Sequence, residues 1–159
     1  MDNNDFRTFS EYMKKEENTL TASMEDYLEM IYRLSMDTGF TRIHELSEAL
    51  NVQPPSATKM VQKLGEMGHL KYEKYGVILL EESGKKRGAA LLSRHKIIEA
   101  LLGILEVPPK LITAETEKVE HTISDETIRC FEKFVAFAND NPDISTRLHS
   151  YHSSKENNE

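Results

Sequence analysis

The sequence predicts a mostly α-helical protein in which a winged helix-turn-helix is followed by a helical domain. Two observations carry this prediction: apolar residues recur at helical spacing through most of the chain, and one pair of short β-prone runs interrupts them. With 159 residues, the chain has room for one ordinary domain, or for a small domain with a helical appendage. This length excludes most large cofactor-binding enzyme folds.

The first three helices follow from apolar spacing and from helix-start signals. Residues 24–34 carry apolar side chains at i, i+3, i+4, i+7 and i+10, with Ser23 as the expected N-cap. Residues 41–50 repeat the pattern and predict a second helix. A third helix is predicted over 54–68, because the proline at Pro54 suits a first helical turn. Helices two and three are separated by a short break, which is typical of a helix-turn-helix.

A hairpin and a long helix come next. Two short β-prone runs flank a Tyr75-Gly76 turn, the usual signal for a β-hairpin and here for the wing. From Ser83 onward the sequence predicts one long helix whose apolar residues cover nearly its whole circumference, so we expect it to be buried on most sides. Two prolines end it, and further helices are predicted over 111–124 and 125–139.

These elements divide the chain into four parts. Residues 1–21 form a polar N-terminal extension, 22–85 the winged-helix domain, 86–140 the helical domain and 141–159 a polar C-terminal tail with at most a short accessory helix. The single cysteine, Cys130, permits no intramolecular disulfide and no zinc-finger spacing. Neither a signal peptide nor an apolar run near the roughly 18 residues of a membrane span is present. We therefore expect a cytoplasmic protein without a membrane partner.

Charge is unevenly distributed. The chain has a net charge of −7, yet residues 54–96 contain nine basic and four acidic residues, a local charge of +5. With the apolar residues of the third helix turned inward, an outward set remains that can donate to phosphates and base edges. A solvated helix face is the alternative, but its position between a helix-turn-helix and a wing favours DNA. The predicted DNA-binding residues are Ser56, Thr58, Lys59, Gln62 and Lys63 on the helix, with Lys71 and Lys74 on the hairpin.

Carboxylates and a histidine share helix faces in two places. Asp26 and Glu29 are three residues apart on the first helix, roughly opposite its apolar stripe, and by themselves form a charged face. Glu117, Glu120 and His121 are spaced i, i+3 and i+4, which puts two carboxylates and an imidazole within reach of one ion. On spacing alone, a solvated face remains as plausible as a metal site.

His95 lies within the apolar run of the long helix, with Glu99 one turn further on. A buried ionisable pair must be neutralised, hydrogen-bonded or ligated to a metal. A hydrogen-bonded core histidine is the commoner explanation for such a residue by itself.

Several separated motifs resemble one family. The segments SMEDYLEMIY (23–32), PPSATKMVQKLGEMGHLKYEKYGVILLEESGKK (54–86), RHKIIE and EKVEH closely resemble the diphtheria toxin repressor family of metal-dependent regulators, and within it the manganese transport regulators. The resemblance covers about residues 22–140 in one collinear order. Agreement among several motifs is far more specific than any single spacing.

The resemblance implies a set of metal ligands. In the iron-sensing branch a methionine stands at the position of Asp26 and a cysteine at that of Glu117, and the harder oxygens here favour Mn²⁺. Glu99 matches an ancillary ligand of the iron branch, but Thr113 stands where that branch has a histidine. The six implied manganese ligands are Asp26, Glu29, His95, Glu117, Glu120 and His121.

The function implied is that of a manganese-responsive transcriptional repressor. It would bind double-stranded operator DNA as a homodimer with two Mn²⁺ ions per subunit, use its helical domain for metal binding and dimerisation, and control manganese uptake without a small-molecule substrate. Three alternatives remain open: an iron-responsive regulator with Fe²⁺, a winged-helix regulator that ignores metal, and a binuclear metalloenzyme. Against the enzyme, the sequence contains no separate nucleophile, phosphate-binding glycine loop or substrate-pocket motif.

Overall fold

Helices dominate the computed structural model, which describes residues 8–12 and 19–156. Most of the predicted N-terminal extension and the last three residues of the predicted tail lie outside these ranges. The predicted mostly α-helical class is confirmed. In chain order the elements are α1 Phe9–Tyr12, α2 Ala22–Ser35, β1 Thr41–Arg42, α3 Ile43–Ala49, α4 Pro54–Glu66, β2 Leu70–Tyr72, β3 Val77–Leu80, α5 Glu82–Ile104, α6 Pro109–Val119, α7 Asp125–Asp140 and α8 Asp143–Glu156.

The winged helix-turn-helix is confirmed. Helices α3 and α4 are its two helices, and β2 and β3 pair antiparallel as the wing, with β1 on the other edge of β3. The wing turns through Tyr75 and Gly76, whose φ angles of 62° and 73° are both left-handed. Glycine adopts that conformation without strain, whereas tyrosine does not.

The starts of the first two predicted helices are each wrong by two residues. The N-cap of α2 is Thr21 and not Ser23, because the Thr21 hydroxyl accepts from the backbone N–H of Met24 at 3.3 Å. The predicted second helix begins at Ile43 and not at residue 41, since residues 41–42 form β1 and pair with β3. A β-branched threonine at the sheet edge and an extended Arg42 explain the change.

Helix α5 connects the two parts of the chain. It packs on α2 in the winged domain and on α6 and α7 beyond it. Its central apolar residues Leu91, Leu92 and Ile98 are buried, as expected, but Leu105 just after its end is 46% exposed. The expectation of burial on most sides therefore holds within this chain only for the central turns, since Glu82, Lys85 and Lys86 near the start of the helix are exposed. The core of the winged domain includes the fully buried Leu28, Ile31, Leu46, Val61, Leu64 and Ile78.

The C-terminal third differs most from the prediction. Helix α6 ends at Val119 and not at Ser124, whose hydroxyl instead caps α7 by accepting from the backbone of Thr127 at 3.3 Å. The predicted polar tail contains α8, a helix of 14 residues that is longer than the accessory helix allowed for. Its half-buried Ile144 and Leu148 are one turn apart and give it a narrow packed face. None of the described helices is long and apolar enough to cross a bilayer.

Candidate metal centre and nucleic-acid interface

Three structural units converge on one acidic cluster. Helix α2 contributes Asp26 and Glu29, α5 contributes His95, and the residues that follow α6 contribute Glu120 and His121. They form two groups, Asp26–Glu120–His121 and Glu29–His95–Glu120, and within each group the ligand atoms lie within 4.8 Å of one another. Glu120 belongs to both groups. The cluster therefore joins the winged domain to the helices beyond it.

The first group is built around His121. Its Nε2 lies 2.7 Å from Oδ1 of Asp26 and 3.5 Å from Oε1 of Glu120. Its Nδ1 donates to Oε2 of Glu25 at 2.8 Å. The hydrogen bonds to Asp26 and then Glu25 raise the pKa of His121 to about 10, so the ring is cationic in the metal-free protein.

The second group is buried. Glu29, His95 and Glu120 are 6%, 5% and 3% exposed, and Nδ1 of His95 lies 2.9 Å from Oε2 of Glu120. Burial, followed by the charge of Glu29, raises the pKa of Glu120 to about 7. The charged-face reading that spacing alone allowed does not hold for Glu29, because its side chain turns inward and pairs with Arg33.

Glu117 lies at the margin of the cluster. Its side chain is 53% exposed and Oε1 is 3.7 Å from Nδ1 of His95, so it is near the second group without being enclosed by it. It lines the same open cavity as Asp26, Glu29 and Glu120. The sixth predicted ligand thus faces the cluster from the solvent side.

His95 also contacts Glu99, as the sequence suggested. Its Nε2 lies 3.3 Å from Oε1 of Glu99, which in turn accepts from the Thr113 hydroxyl at 3.5 Å. Each ring nitrogen of His95 therefore faces a carboxylate. The buried polar histidine is fully partnered on both sides.

The donor set fits a divalent cation. Two buried carboxylates, those of Glu29 and Glu120, are close enough that the charge of one raises the pKa of the other. Bringing two buried carboxylates together is costly unless positive charge lies close to both, and carboxylate oxygens with imidazole nitrogens are ligands for divalent metals. The residues present therefore fit a divalent metal ion.

Two residues of this region were not predicted. Glu25 is 2% exposed and pairs with Arg87, with Oε1 and Nη2 2.6 Å apart. Its spacing of three residues from the buried Leu28 was a signal for its inward position. Arg94 donates Nη1 to the backbone carbonyl of Glu120 at 2.9 Å, a contact for which the sequence carried no signal.

The predicted DNA-reading residues lie on α4 and the wing. Tyr75, which the prediction omitted, is 92% exposed at the wing tip, and Arg42 donates Nη1 to its carbonyl at 3.3 Å. Lys71 is held by an ion pair with Glu81 at 2.8 Å, and Thr58 is half-buried. The exposed members of the predicted set are Ser56, Lys59, Gln62, Lys63, Lys71 and Lys74.

Known families match both halves of the chain. Residues 19–78 match the iron dependent repressor, N-terminal DNA binding domain, and residues 81–149 match the iron dependent repressor, metal binding and dimerisation domain. The chain belongs to the iron-dependent repressor family. The predicted resemblance is confirmed.

Individual relatives agree with this assignment. The chain is 41% identical over 128 residues to the HTH-type transcriptional regulator MntR of Lysinibacillus sphaericus, covering 80% of this chain and 92% of the relative. It is 38% identical over 135 residues to the MntR of Listeria monocytogenes, covering 85% and 95%. Among solved structures, the manganese regulator SloR matches with a TM-score of 0.64 and 30% identity over 74% of this chain. This chain spans 55% of the SloR chain.

A second solved relative is the metal-dependent transcriptional regulator MtsR, with a TM-score of 0.66 and 28% identity over 74% of this chain and 55% of the relative.

As a member of the iron-dependent repressor family, the protein is a metal-dependent, DNA-binding transcriptional repressor with a dimerisation domain, and its partners are operator DNA and a second copy of itself. This membership decides against the metalloenzyme alternative.

Proposed function

We propose that the protein is a cytoplasmic, manganese-responsive repressor. It binds operator DNA as a metal-loaded homodimer and controls manganese uptake genes. Residues 22–85 would form its DNA-binding domain and residues 86–140 its metal-binding and dimerisation domain. The single observation that carries the proposal is the pair of ligand groups sharing Glu120, because their members come from α2, α5 and the segment after α6.

Two Mn²⁺ ions per subunit are proposed. The support is the presence of two groups, one with Asp26 and His121, the other with Glu29 and His95, bridged by Glu120. Glu117 would complete the coordination from the solvent side, where it is 3.7 Å from His95. Four carboxylates and two imidazoles contain no sulfur, and such hard ligands suit Mn²⁺ better than soft-ligand metals.

Without metal, protons supply part of the positive charge in the cluster. Burial of Glu120, followed by the charge of Glu29, raises the pKa of Glu120 to about 7, and the hydrogen bonds to Asp26 and Glu25 raise the pKa of His121 to about 10. A bound divalent metal would supply positive charge in place of these protons. Asp26 and Glu29 would then be held against His95 and His121, and α2 would be fixed relative to α5. A ligand favours this arrangement only if it binds it more tightly than it binds an arrangement in which α2 is not fixed on α5.

The DNA side of the proposal uses α4 and the wing. Lys59, Gln62 and Lys63 project from the exposed face of α4, the second helix of the helix-turn-helix. Such a helix enters the major groove, and a dimer reads two half-sites whose spacing follows from the protein's symmetry. Fixing α2 on α5 in both subunits would hold the two recognition helices at that spacing.

The dimer contact is proposed for the exposed apolar side chains after the middle of α5. Leu105, Leu111, Phe134 and Phe137 are 46%, 42%, 39% and 55% exposed. They belong to the stretch that matches a dimerisation domain. A second copy of the chain is the partner we propose for these side chains, because the region that carries them matches a dimerisation domain.

The test is an operator-DNA titration with Mn²⁺, Fe²⁺ and Zn²⁺ at fixed salt, comparing the wild type, Glu120→Ala and Glu115→Ala. Glu115 is the matched control, because it lies on α6 just before Glu120 and its partly exposed carboxylate pairs only with Lys118 among the ion pairs found in the described residues. We expect Mn²⁺ to activate the wild type and the control, and to fail with Glu120→Ala. Metal-independent binding by the wild type, or an undiminished Mn²⁺ response of Glu120→Ala, would overturn the proposal, and a preference for Fe²⁺ would favour the iron-responsive alternative.

A further inference from the structure

We propose that Glu25 is a positioning residue of the metal centre: its carboxylate accepts the Nδ1 proton of His121 and thereby turns Nε2 of that ring toward the metal. This inference rests on the metal site proposed above. Glu25 itself belongs to neither ligand group.

The two nitrogens of His121 face different carboxylates. Nδ1 donates to Oε2 of Glu25 at 2.8 Å, whereas Nε2 points to Oδ1 of Asp26 at 2.7 Å and to Glu120 at 3.5 Å. A neutral imidazole carries its proton on one nitrogen only, and the hydrogen bond made by that nitrogen selects the tautomer. With the Nδ1 proton fixed by Glu25, the free lone pair lies on the side of Asp26 and Glu120.

Glu25 is itself held in place. Its second oxygen, Oε1, accepts from Nη2 of Arg87 at 2.6 Å, and the side chain is 2% exposed. A buried carboxylate needs such a partner, and one whose position is fixed by an arginine orients its other contacts in turn. Since Arg87 lies on α5, the chain Arg87–Glu25–His121 also ties α2 and α5 to the segment after α6.

Both ring nitrogens of His95 also face carboxylates, but one of these carboxylates is partly exposed. Its Nδ1 faces Glu120 and its Nε2 lies 3.3 Å from Glu99, whose side chain is 35% exposed. Water can replace an exposed acceptor but not a buried one, so loss of Glu25 should matter more than loss of Glu99. This ranking follows from burial alone.

The first test measures Mn²⁺ affinity by isothermal titration calorimetry on the full chain. Removing an outer carboxylate that orients a metal-ligating histidine typically costs about 10- to 100-fold in affinity, which is the expected effect of Glu25→Ala. Glu25→Gln keeps a neutral acceptor and should lie between the alanine variant and the wild type, about threefold or more below the latter, because a charged acceptor is roughly twice as strong. Glu115→Gln serves as the control for a lost charge.

The second test reads the tautomer directly. With Cd²⁺ as a diamagnetic probe, long-range ¹H–¹⁵N correlations of the wild type should show His121 protonated at Nδ1 and coordinated through Nε2. In Glu25→Ala we expect this single tautomer to be lost, a change that a general loss of stability does not produce. Circular dichroism of the metal-free variants checks the fold, and the nearly isosteric Glu25→Gln keeps the test valid if the alanine variant does not fold.

The outcomes separate the two proposals. If the wild type itself binds no Mn²⁺, the proposed function fails and this inference falls with it. If the wild type binds Mn²⁺ while Glu25→Gln and a folded Glu25→Ala match its affinity and keep the Nδ1-protonated ring, only the role of Glu25 is overturned.

Discussion

The guanidinium of Arg94 donates to the backbone carbonyl of Glu120, with Nη1 and the oxygen 2.9 Å apart. The Arg94 side chain is 11% exposed and also pairs with Asp125 at the start of α7. It therefore spans the segment between α6 and α7, where Glu120 and His121 have left the helix and depend on other contacts for their position. One α5 arginine thus supports two of the proposed metal ligands through the backbone.

We expect Arg94→Ala to destabilise the metal-free protein by about 1.5–3 kcal/mol, the usual effect of losing a hydrogen bond to a charged group. Its Mn²⁺ affinity should fall as well, because the segment carrying Glu120 and His121 loses its support. Urea unfolding and calorimetric Mn²⁺ titration measure the two effects. Arg129→Ala, which breaks an exposed pair with Glu126, should change stability by no more than about 0.5 kcal/mol. If Arg94→Ala and Arg129→Ala had the same stability and the same Mn²⁺ affinity, Arg94 would not support the segment that carries Glu120 and His121.

The sequence predicted the metal cluster better than its supports. Asp26, Glu29 and the Glu120–His121 pair, which the structure brings together, were singled out by the family resemblance, because their spacing alone left a solvated face equally plausible. Glu25 and Arg94 could not be assigned partners in this way, since their contacts join residues 96 and 26 positions apart in the chain. Periodicity reports which face a residue occupies, but not which other element packs against that face.

The same limit explains the errors in the fold. The length of helix α8 was underestimated because its packed face consists of little more than Ile144 and Leu148, and its mean hydropathy is low. Its attachment includes a polar contact that no local pattern reveals: Glu106, beyond the end of α5, accepts from Nδ1 of His149 at 2.9 Å and from Nδ1 of His152 at 2.6 Å. By contrast, the wing was predictable because its turn and strand signals are local.

Replacing Lys59 or Lys63 by alanine should weaken operator binding. If each lysine neutralises one phosphate, each loss should lower the slope of log affinity against log salt by about one unit. Fluorescence anisotropy with labelled operator at several salt concentrations measures the slope. Lys155→Ala on α8 makes the same charge change away from the winged domain and should leave the slope unaltered. Unchanged affinity in both recognition-helix variants would remove α4 from the DNA interface.

Metal choice should follow the ligand atoms. Asp26→Met together with Glu117→Cys replaces two hard oxygens by sulfur, and we expect the DNA-binding response to shift from Mn²⁺ toward Fe²⁺. Asp26 is close to His121, with Oδ1 and Nε2 2.7 Å apart, so the first substitution acts within the cluster. Anaerobic DNA-binding titrations with each metal measure the shift. A double variant that still prefers Mn²⁺ by the wild-type margin would show that selectivity lies outside these two positions.

Metal uptake should release protons. In the metal-free protein the pKa of His121 is raised to about 10 by Asp26 and Glu25, and the pKa of Glu120 is raised to about 7 by burial and by the charge of Glu29. Both groups must lose a proton to coordinate a metal. We expect Mn²⁺ binding to release about two protons below pH 7 and about one at pH 8.5, so affinity rises with pH more steeply in the acid range.

Calorimetry in buffers of different ionisation enthalpy counts these protons.

The stability of the metal-free protein should depend on pH in the same direction through both groups. Folding raises the pKa of Glu120 above its ordinary value of 4.5 and that of His121 above its ordinary value of 6.5, so the folded chain binds both protons more tightly than the unfolded chain. Their joint contribution to stability therefore declines as pH rises, from 4.5 to about 7 for Glu120 and from 6.5 to about 10 for His121. Mn²⁺ affinity that is constant between pH 6 and 8.5 would contradict both assignments.

Close approach of α2 and α5 should depend on Gly88. A Cβ at this position would lie 2.5 Å from Cβ and 2.9 Å from Cγ of Tyr32, so Gly88→Ala must push the two helices apart or displace the tyrosine. Overpacking of this kind costs about 1–3 kcal/mol. Because α2 also carries Asp26 and Glu29, the variant should lose Mn²⁺ affinity together with stability.

Gly103 provides the matched comparison on the same helix. A Cβ there meets no described atom within 4 Å, so Gly103→Ala should stabilise α5 by about 0.5–1 kcal/mol through helix propensity and leave Mn²⁺ binding unchanged. Urea unfolding at one fixed protein concentration compares the two variants, since the stability of a dimer depends on concentration. The changes in the free energy of unfolding should have opposite signs in the two variants, because the added methyl group meets the winged domain at Gly88 and open space at Gly103. If Gly88→Ala matched the wild type in stability and in Mn²⁺ affinity, the α2–α5 contact would not be what holds the ligands of the two domains together.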